Sequence, residues 1–258
     1  MKSQNRNEKV QAQREELSVV CGRNSVEEAL KTNENLDCLF LQKGEHGGAL
    51  GRLAAMAGEK GIPVKEVNGQ KLDFMTDHAN HQGAVLTLSA AAYSTLEDAF
   101  RLAESRNEAP FFVLLDGLED PHNLGAIIRT AECTGVHGII IPKRRSVSLT
   151  PIVAKTACGA LSYVPVIRVA NMAAVMDSLK ERGVWLYGAH MQGEDYRSQN
   201  YSGGCGLVIG SEGSGISRLV KEKCDVLISL PMKGKINSLN ASVAAGVLLY
   251  QIASGREG

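Results

Sequence analysis

Six apolar segments in the second half of the chain constrain its fold more than any other feature of the sequence. They carry little polar alternation and are mostly separated by helical stretches: FFVLL, GIII, VPVIRV, VWLYGA, GLVIG and VLISL. Strands without alternation are buried on both faces, which is typical of a parallel sheet covered by helices. The sequence therefore predicts an α/β domain with a parallel sheet and right-handed crossovers.

A smaller α/β unit precedes this domain. Helices are predicted at NSVEEALK, with an N-cap at Asn24 or Ser25, and at ALGRLAAMAGEKG, and strands at LDCLFL, IPVKEV and GAVLTL. The segment TLEDAFRLAESRNEAP predicts a polar helix that ends before Pro110. We therefore expect a disordered N-terminus at residues 1–17, a small domain at 18–90, a linker helix at 91–109 and a larger domain at 110–258.

Composition excludes several classes of protein. The 28 basic and 28 acidic residues cancel, so any nucleic-acid surface must be a local patch. The six cysteines are scattered without a C-x-x-C pair, which predicts reduced thiols in the cytoplasm. The histidines have no ligand-like spacing, so no metal is predicted. No apolar run approaches the roughly 18 residues that a membrane span needs.

Ligands of open α/β sheets bind beyond the carboxyl ends of the strands, and three such ends carry residues that a turn alone does not demand. The first is LEDPHNLGAIIRTAECTG, residues 118–135, where Arg129 lies opposite the predicted core stripe of Leu124, Ile127, Ile128 and Ala131. Asn123 stands at the helix start, where it can cap the helix or hold a ligand. An ordinary cap and a solvated arginine are the competing interpretation.

The second is GLVIGSEGSGIS, residues 206–217, a strand followed by a glycine-rich turn and a helix. Its spacing matches neither the phosphate-binding loop of nucleotide hydrolases nor the dinucleotide fingerprint. Glu212 in its centre would repel a phosphate, so the loop favours a ligand with a hydroxyl group or a positive centre. A tight turn without a ligand remains the alternative.

The third is ISLPMKGKINSLNASVAAGVLLY, residues 228–250. Ser238, Asn240 and Ser242 precede or open a helix that is apolar nearly all round, although one of them would suffice as a cap. The pattern predicts a buried helix and a pocket wall. The single tryptophan, Trp185, is predicted to lie in the core.

Together the three loops resemble the sequence motifs of the SpoU (TrmH) family of RNA ribose 2'-O-methyltransferases. The matching residues are Asn123, Gly125 and Arg129; Gly210, Glu212 and Gly213; and Pro231, Ser238, Leu239, Asn240 and Ser242. The segments GRNSVEEAL and HQGAVL resemble the small substrate-binding domain, akin to ribosomal proteins L30e and L7Ae, of the subgroup that methylates a guanosine of 23S ribosomal RNA.

The resemblance implies a fold, a cofactor and an assembly. The fold is a SPOUT-class parallel sheet with a deep trefoil knot, the cofactor is S-adenosylmethionine, and the enzyme is a homodimer. The implied catalytic residues are Arg129, Asn123, Glu212, Ser238 and Asn240. The implied cofactor-binding residues are Gly210, Leu230, Leu239, Gly188, Ile209 and Met232.

RNA contacts are expected from the basic cluster Lys143, Arg144 and Arg145, and from Arg23 and Asn24 in the small domain. The reaction implied is 2'-O-methylation of a ribose in 23S ribosomal RNA. Three alternatives stay open: a transfer-RNA methyltransferase, a non-catalytic RNA-binding assembly factor and a nucleotide-dependent oxidoreductase. The intact motif residues speak against the second, and the missing fingerprint loops against the third.

Overall fold

The computed structural model of the chain describes residues 18–33, 35–44, 47–236 and 238–256, so the predicted disordered segment 1–17 lies outside it. The chain divides into two compact units, Met1–Ala92 with Ser148–Ile152 and Tyr93–Val147 with Val153–Gly258. The helix that the sequence indicated as a linker belongs to the second unit. Its residues Ala99 and Phe100 are buried in that unit's core, so this helix is a packed element of the larger domain.

The first unit is a four-stranded mixed sheet with three helices. The strands are β1 (Val19–Cys21), β2 (Leu36–Gln42), β3 (Val64–Val67) and β4 (Ala84–Leu88), and the helices are α1 (Arg23–Thr32), α2 (Gly48–Glu59) and α3 (Gly69–Thr76). The strand order is β1-β4-β2-β3, and β2 and β3 run parallel. The predicted strands and helices at LDCLFL, IPVKEV, GAVLTL, NSVEEALK and ALGRLAAMAGEKG are confirmed.

Two details of the first unit differ from the sequence prediction. Helix α1 begins at Arg23, directly after Gly22, and no side chain caps it, so the predicted cap at Asn24 or Ser25 is wrong. Gly22 has a φ of 90°, which turns the chain into the helix one residue early. The short helix α3 was not predicted, although Asn68 caps it by accepting a hydrogen bond from the Lys71 amide.

The second unit contains the parallel sheet. Its strands are β5 (Phe111–Asp116), β6 (Gly138–Pro142), β7 (Val166–Val169), β8 (Val184–Asp195), β9 (Gly204–Gly210) and β10 (Val226–Ser229). The helices along this part of the chain are α4 (Leu96–Ser105), α5 (Pro121–Cys133), α6 (Pro151–Ala157), α7 (Met172–Glu181), α8 (Arg218–Lys223) and α9 (Ala241–Arg256). All neighbouring strands in the order β10-β8-β9-β5-β6-β7 are parallel, which confirms the predicted architecture.

The strand register places the site-bearing loops at the carboxyl ends of the strands of this sheet. Strands β5 and β9 are central neighbours, and Asp116 at the end of β5 pairs with Gly210 at the end of β9. Strand β10 lies at the sheet margin beyond β8, whereas α9, which follows it in sequence, packs on α5 and β9. The segment between β10 and α9 must therefore recross the carboxyl ends of β8 and β9.

Two predicted core assignments are wrong. Trp185 is 52% exposed, because Val184 and Leu186 point to the buried face of β8 and Trp185 points to the other. Helix α9 is not buried all round either. Val243, Val247 and Tyr250 leave an apolar stripe exposed, while its opposite face is buried, with Ala245, Leu248, Leu249 and Ile252.

Helices α5 and α6 approach each other closely at Gly125. A Cβ atom on Gly125 would lie 2.5 Å from Cβ of Thr156 and 2.9 Å from the Val153 carbonyl oxygen. Both distances are below any normal contact, so only glycine permits this approach. The motif glycine of the first loop therefore sets the position of α6 against α5.

His137 is a fully buried titratable group at the opposite end of the sheet. Its Nδ1 accepts a hydrogen bond of 3.0 Å from the Phe111 amide, and its Nε2 lies 3.0 Å from a carboxylate oxygen of Glu108. Burial lowers the pKa of His137 below its usual 6.5, and Glu108 opposes that shift only in part. The ring is therefore neutral at pH 7, with Nε2–H donating to Glu108.

We predict that the free energy of unfolding falls as the pH is lowered from 7 to 5.5. In the unfolded chain His137 binds a proton below a pH of about 6.5, whereas in the folded chain its lowered pKa keeps the ring neutral to a more acidic pH. Because the unfolded state then binds more protons, acid favours unfolding. Urea denaturation at both pH values should show a smaller pH dependence for His137→Asn, which keeps an acceptor for the Phe111 amide. The exposed His122→Asn is the control, and an equal pH dependence in all three proteins would contradict the prediction.

Candidate active site

In the first loop, Asn123 does not cap helix α5. Helix α5 begins at Pro121, and Asp120 caps it by accepting a hydrogen bond of 2.8 Å from the His122 amide. Asn123 is therefore a residue of the first turn, and its side chain is buried, with 5% exposed. A buried amide needs hydrogen-bond partners, and Asn123 finds them in the other two loops.

The second loop is a closed turn that presents Glu212 at its tip. Ser211 and Gly215 exchange backbone hydrogen bonds of 3.1 and 2.9 Å. A Cβ atom on Gly210 would lie 2.0 Å from the carbonyl carbon of Gly215, so the returning chain excludes every side chain there. The Ser217 amide donates to the Asp116 carboxylate over 2.7 Å, which ties the turn to the end of β5.

The third loop ends in a cap with two functions. Oδ1 of Asn240 accepts hydrogen bonds from the Ser242 amide at 3.0 Å, the Ser242 hydroxyl at 2.6 Å and the Val243 amide at 3.3 Å. Asn240 thus caps α9, in agreement with the prediction that one of the three polar residues caps this helix. Because Oδ1 is committed to the cap, Nδ2 must face the other way.

The three motifs meet through these side chains. Asn240 Nδ2 donates to Asn123 Oδ1 at 3.0 Å and to Glu212 Oε1 at 2.7 Å, and Asn123 Nδ2 donates to the same Glu212 oxygen at 2.7 Å. We call this triangle the three-loop junction. One carboxylate oxygen accepts from two amides, so the junction fixes the orientation of Glu212.

A cavity of about 650 Å³ lies on one side of the glycine turn. It is lined by the middle of β8, the ends of β9 and β10, the crossing segment and α9, with Ala189–Met191, Ile209–Gly215, Ile228–Met232, Ser238, Leu239, Ala241, Ala244 and Leu248. Its size suits a small-molecule site, and its wall combines apolar side chains with exposed backbone. Among these described lining residues there is no lysine or arginine.

Five of the six residues expected to bind the cofactor line this first cavity: Gly210, Leu230, Leu239, Ile209 and Met232. The sixth, Gly188, does not; it is buried in β8, where a Cβ would come within 2.8 Å of the Cys224 sulfur. Glu212 and Ser238, expected as catalytic residues, also line the cavity.

His190, within β8, is a lining residue that sequence reasoning missed, although it directly follows the predicted strand VWLYGA. Its Nε2 lies 3.1 Å from Lys221 Nζ, and its Nδ1 accepts from the Gln192 amide at 3.1 Å. Burial, with a smaller effect of Lys221, lowers the pKa of His190. The ring is neutral at pH 7 and adds no positive charge to the wall.

The other side of the glycine turn faces a second cavity of about 850 Å³. Its lining residues are Asp116–Asp120, Asn123, Pro142, Arg144, Arg145, Ser211–Gly215 and Ser217. Glu212 and the rest of the turn line both cavities, so the two cavities adjoin at the glycine turn. Two members of the predicted RNA-binding cluster, Arg144 and Arg145, are exposed at this second cavity.

The remaining predicted RNA-binding residues lie elsewhere. Lys143 is half-buried, and its amide donates to the Val169 carbonyl. Arg23 and Asn24 open helix α1 in the first unit, where the Arg23 Nε donates to the Gln82 carbonyl over 2.9 Å.

Arg129 is exposed on α5, and the predicted core stripe of this helix is fully buried. Arg129 is not among the described residues that line the two cavities. Its Nη1 donates to the Cys158 sulfur at 3.6 Å. The sequence placed Arg129 and Asn123 in one motif, but six residues along a helix separate them by about 9 Å along its axis.

Three further observations bear on the sequence predictions. All six cysteines are free thiols. Within the described ranges, no cluster of three or more histidine, cysteine, aspartate or glutamate residues is suited to a metal ion. No helix in the described part of the chain is both long and apolar enough to cross a membrane.

Residues 110–250 match the sequence model of the SpoU rRNA Methylase family, and residues 19–94 match that of the RNA 2'-O ribose methyltransferase substrate-binding domain. The chain belongs to the SpoU family. Among its relatives is YacO of Bacillus subtilis, named as a TrmH family tRNA/rRNA methyltransferase. The two are 48% identical over 234 residues, which cover 90% of this chain and 94% of YacO.

Solved structures agree with this membership. An AdoMet-bound rRNA methyltransferase from Sinorhizobium meliloti is 26% identical, with a TM-score of 0.57 over 93% of this chain and 87% of that one. The SpoU methyltransferase AviRb from Streptomyces viridochromogenes, in complex with AdoMet, has the same fold, with 23% identity and a TM-score of 0.58 over 94% of this chain and 91% of AviRb. The predicted fold class is confirmed, and the SpoU chain is an RNA methyltransferase.

The three-loop junction predicts a specific rescue. Asn240→Asp keeps the cap acceptor but replaces the donor by a carboxylate oxygen facing Glu212 at 2.7 Å, so we expect a loss of about 1–3 kcal/mol at pH 7.5. Adding Glu212→Gln restores a donor–acceptor pair and should recover most of it.

Urea denaturation of the wild type, both single variants and the double variant measures this coupling. Additive losses would mean that Asn240 and Glu212 do not interact in solution.

Proposed function

We propose that this SpoU chain transfers the methyl group of S-adenosylmethionine to the 2'-hydroxyl of a ribose in 23S ribosomal RNA, with a guanosine as the target nucleoside. The observation that supports this proposal is that one turn, Ser211–Gly215, lines two adjoining cavities of different chemistry. A methyl donor on one side and a ribose on the other would meet at Glu212 and the three-loop junction.

The first cavity fits S-adenosylmethionine better than a nucleotide cofactor. Phosphates require arginine, lysine or unpaired backbone amides, and neither cation is present among the described lining residues. The amides of Ser211 and Gly215 are paired within their own turn. A carboxylate at Glu212 and a neutral His190 suit a cationic sulfonium, which supplies an activated methyl group when the cofactor is bound. The same features disfavour the oxidoreductase alternative.

Residues of this chain would then bind and orient the two reactants. Leu230 and Leu239 contribute apolar wall, and the three-loop junction holds Glu212 at the boundary of the two cavities. Ser238 and Asn240 line or support the reaction centre. Holding a ribose hydroxyl in line with the methyl group replaces a bimolecular encounter by a preorganised one.

Arg129 is proposed as the catalytic residue that stabilises the developing alkoxide of the ribose. A guanidinium remains protonated in proteins, so it acts as a hydrogen-bond donor and a positive charge and not as a base. Its position outside both cavities of the single chain means that the productive arrangement includes a further element, RNA or a second copy of the chain.

A homodimer is part of this proposal. Val243, Val247 and Tyr250 stand at i, i+4 and i+7 on α9 and expose between 40% and 58% of their surfaces. An apolar stripe of this kind on a helix is typical of a packing surface.

The six free thiols support a reducing compartment, the cytoplasm.

RNA recognition is proposed for the second cavity and the first unit. Arg144 and Arg145 can contact phosphates at the cavity and thereby position the strand without reading its sequence. The match of residues 19–94 to a substrate-binding domain supports a role of the first unit in choosing the RNA. Transfer RNA is the second candidate substrate, because the relative YacO is named for both RNA classes.

Binding of S-adenosylmethionine should raise the unfolding temperature of the protein, whereas NAD should not. At about 100 times its dissociation constant, a ligand that binds only the native state stabilises it by about 2.7 kcal/mol. Ala244→Leu fills the wall of the first cavity and should abolish the shift, while Ala174→Leu on the exposed face of α7 should keep it. A retained shift in Ala244→Leu would place the cofactor elsewhere.

The reaction is tested with tritiated S-adenosylmethionine and ribosomal or transfer RNA from cells that lack the enzyme, followed by nuclease digestion and identification of the labelled nucleoside. We expect 2'-O-methylguanosine in 23S RNA. Arg129→Ala should lose at least about 100-fold in single-turnover rate, and the exposed Arg101→Ala should match the wild type.

Label in transfer RNA would select the second candidate substrate. No label in either RNA, with the cofactor still bound, would favour the assembly-factor alternative. A wild-type rate for Arg129→Ala would remove Arg129 from the mechanism.

A further inference from the structure

The guanidinium of Arg129 is held by a thiol. Its Nη1 donates to the Cys158 sulfur at 3.6 Å, and the same sulfur is 3.6 Å from the Lys155 carbonyl oxygen. The thiol proton therefore points at the carbonyl, and the sulfur lone pairs face the guanidinium. Arg129, Cys158 and Lys155 form a short hydrogen-bonded chain in which the sulfur is acceptor and donor at once.

Local backbone geometry places the sulfur there. Cys158 follows the last residue of α6 and has a φ of 50°, and Gly159 has a φ of 90°. A left-handed conformation is common for glycine but costly for cysteine. The contact at Gly125 already brings α6 against α5, and Arg129 stands one turn beyond Gly125. The chain reversal at Cys158 thus lays the thiol over the guanidinium.

The chemistry of a thiol suits this position. A carboxylate next to Arg129 would form an ion pair and neutralise the charge that the ribose oxygen and phosphates need. A thiol is a weak acceptor that engages one of the five guanidinium N–H groups and leaves the positive charge in place. The pattern of the sequence gave no hint of this, because Cys158 is separated from Arg129 by 29 residues.

We propose that Cys158 is a positioning residue for Arg129 and that covalent modification of its thiol inactivates the enzyme. The inference rests on the proposed catalytic role of Arg129. It concerns orientation of the guanidinium, so loss of the thiol should lower the rate of methyl transfer without changing the binding of RNA or cofactor.

Three substitutions separate the thiol from the backbone. Cys158→Ala removes the sulfur and keeps the strained conformation, whereas Cys158→Gly removes both. We expect each to be about tenfold slower in single-turnover transfer, with Cys158→Ser between them and the wild type because its hydroxyl can still accept. Unchanged dissociation constants for RNA and S-adenosylmethionine distinguish positioning from misfolding. Wild-type rates for both Cys158→Ala and Cys158→Gly would overturn the proposal.

Coupling to Arg129 is measured in an Arg129→Lys background. If the thiol acts through the guanidinium, Cys158→Ala should cause little further loss there. An equal tenfold loss in both backgrounds would show that Cys158 acts by another route.

Modification by methyl methanethiosulfonate provides the second activity readout. The cysteine sulfur bonds to the methylthio group, methanesulfinate leaves with the electron pair, and the thiol proton goes to water. Wild type and Cys133→Ala, which lacks the other exposed thiol, should be inactivated and then recovered by dithiothreitol. Cys158→Ser should resist. Sensitivity that follows Cys133 would overturn the assignment.

A labelling measurement keeps the inference separate from the proposed function. Nη1 of Arg129 lies 3.6 Å from the Cys158 sulfur, so Arg129→Gln, which removes this donor, should change the rate at which iodoacetamide alkylates Cys158 several-fold, as followed by peptide mass spectrometry. This holds whether or not RNA is methylated. Equal alkylation rates would show that the contact is absent in solution, whereas a changed rate without RNA methylation would fault only the proposed function.

Discussion

The arrangement of the candidate active site depends on the side-chain amide of Asn240. Its oxygen is occupied by the first amides of α9, which forces its nitrogen toward Asn123 and Glu212. The same side-chain amide therefore caps a helix and links three loops. Because both ends of the amide are engaged, a displacement of the start of α9 would also displace Glu212 in the glycine turn. The three motifs, far apart in sequence, are held in one geometry.

The glycine turn held by this geometry lines both cavities. It is closed by its own backbone and by the Asp116 carboxylate, and Gly210 admits no side chain. The two cavities adjoin at this turn, and Glu212 lines both of them. Among the described lining residues, arginines stand only at the second cavity, beside the carboxylates of Asp116, Glu119, Asp120 and Glu212. Of these charged residues at the second cavity, only Arg144 and Arg145 suit the phosphates of an RNA strand.

Sequence patterns gave good guidance wherever burial alone decides the outcome. The apolar strands of the second unit and the core stripe of α5 are buried as expected. Patterns failed where the neighbours of a residue decide. Trp185 and the stripe of α9 are apolar yet exposed, because composition does not reveal which face a neighbouring element covers. The caps at Gly22 and Asp120 differ from those expected, since several polar residues competed for each position.

The sequence by itself determined the parallel sheet, the three motif loops and the chemical types of the candidate site residues, because apolar periodicity and loop composition are local properties. Only the tertiary structure decided that Asn123, Glu212 and Asn240 share hydrogen bonds, that the glycine turn lines two adjoining cavities, and that Cys158 lies against Arg129. Those contacts join residues up to 117 positions apart. Their distances follow from strand register and from the close approach of α5 and α6 at Gly125, which no local pattern encodes.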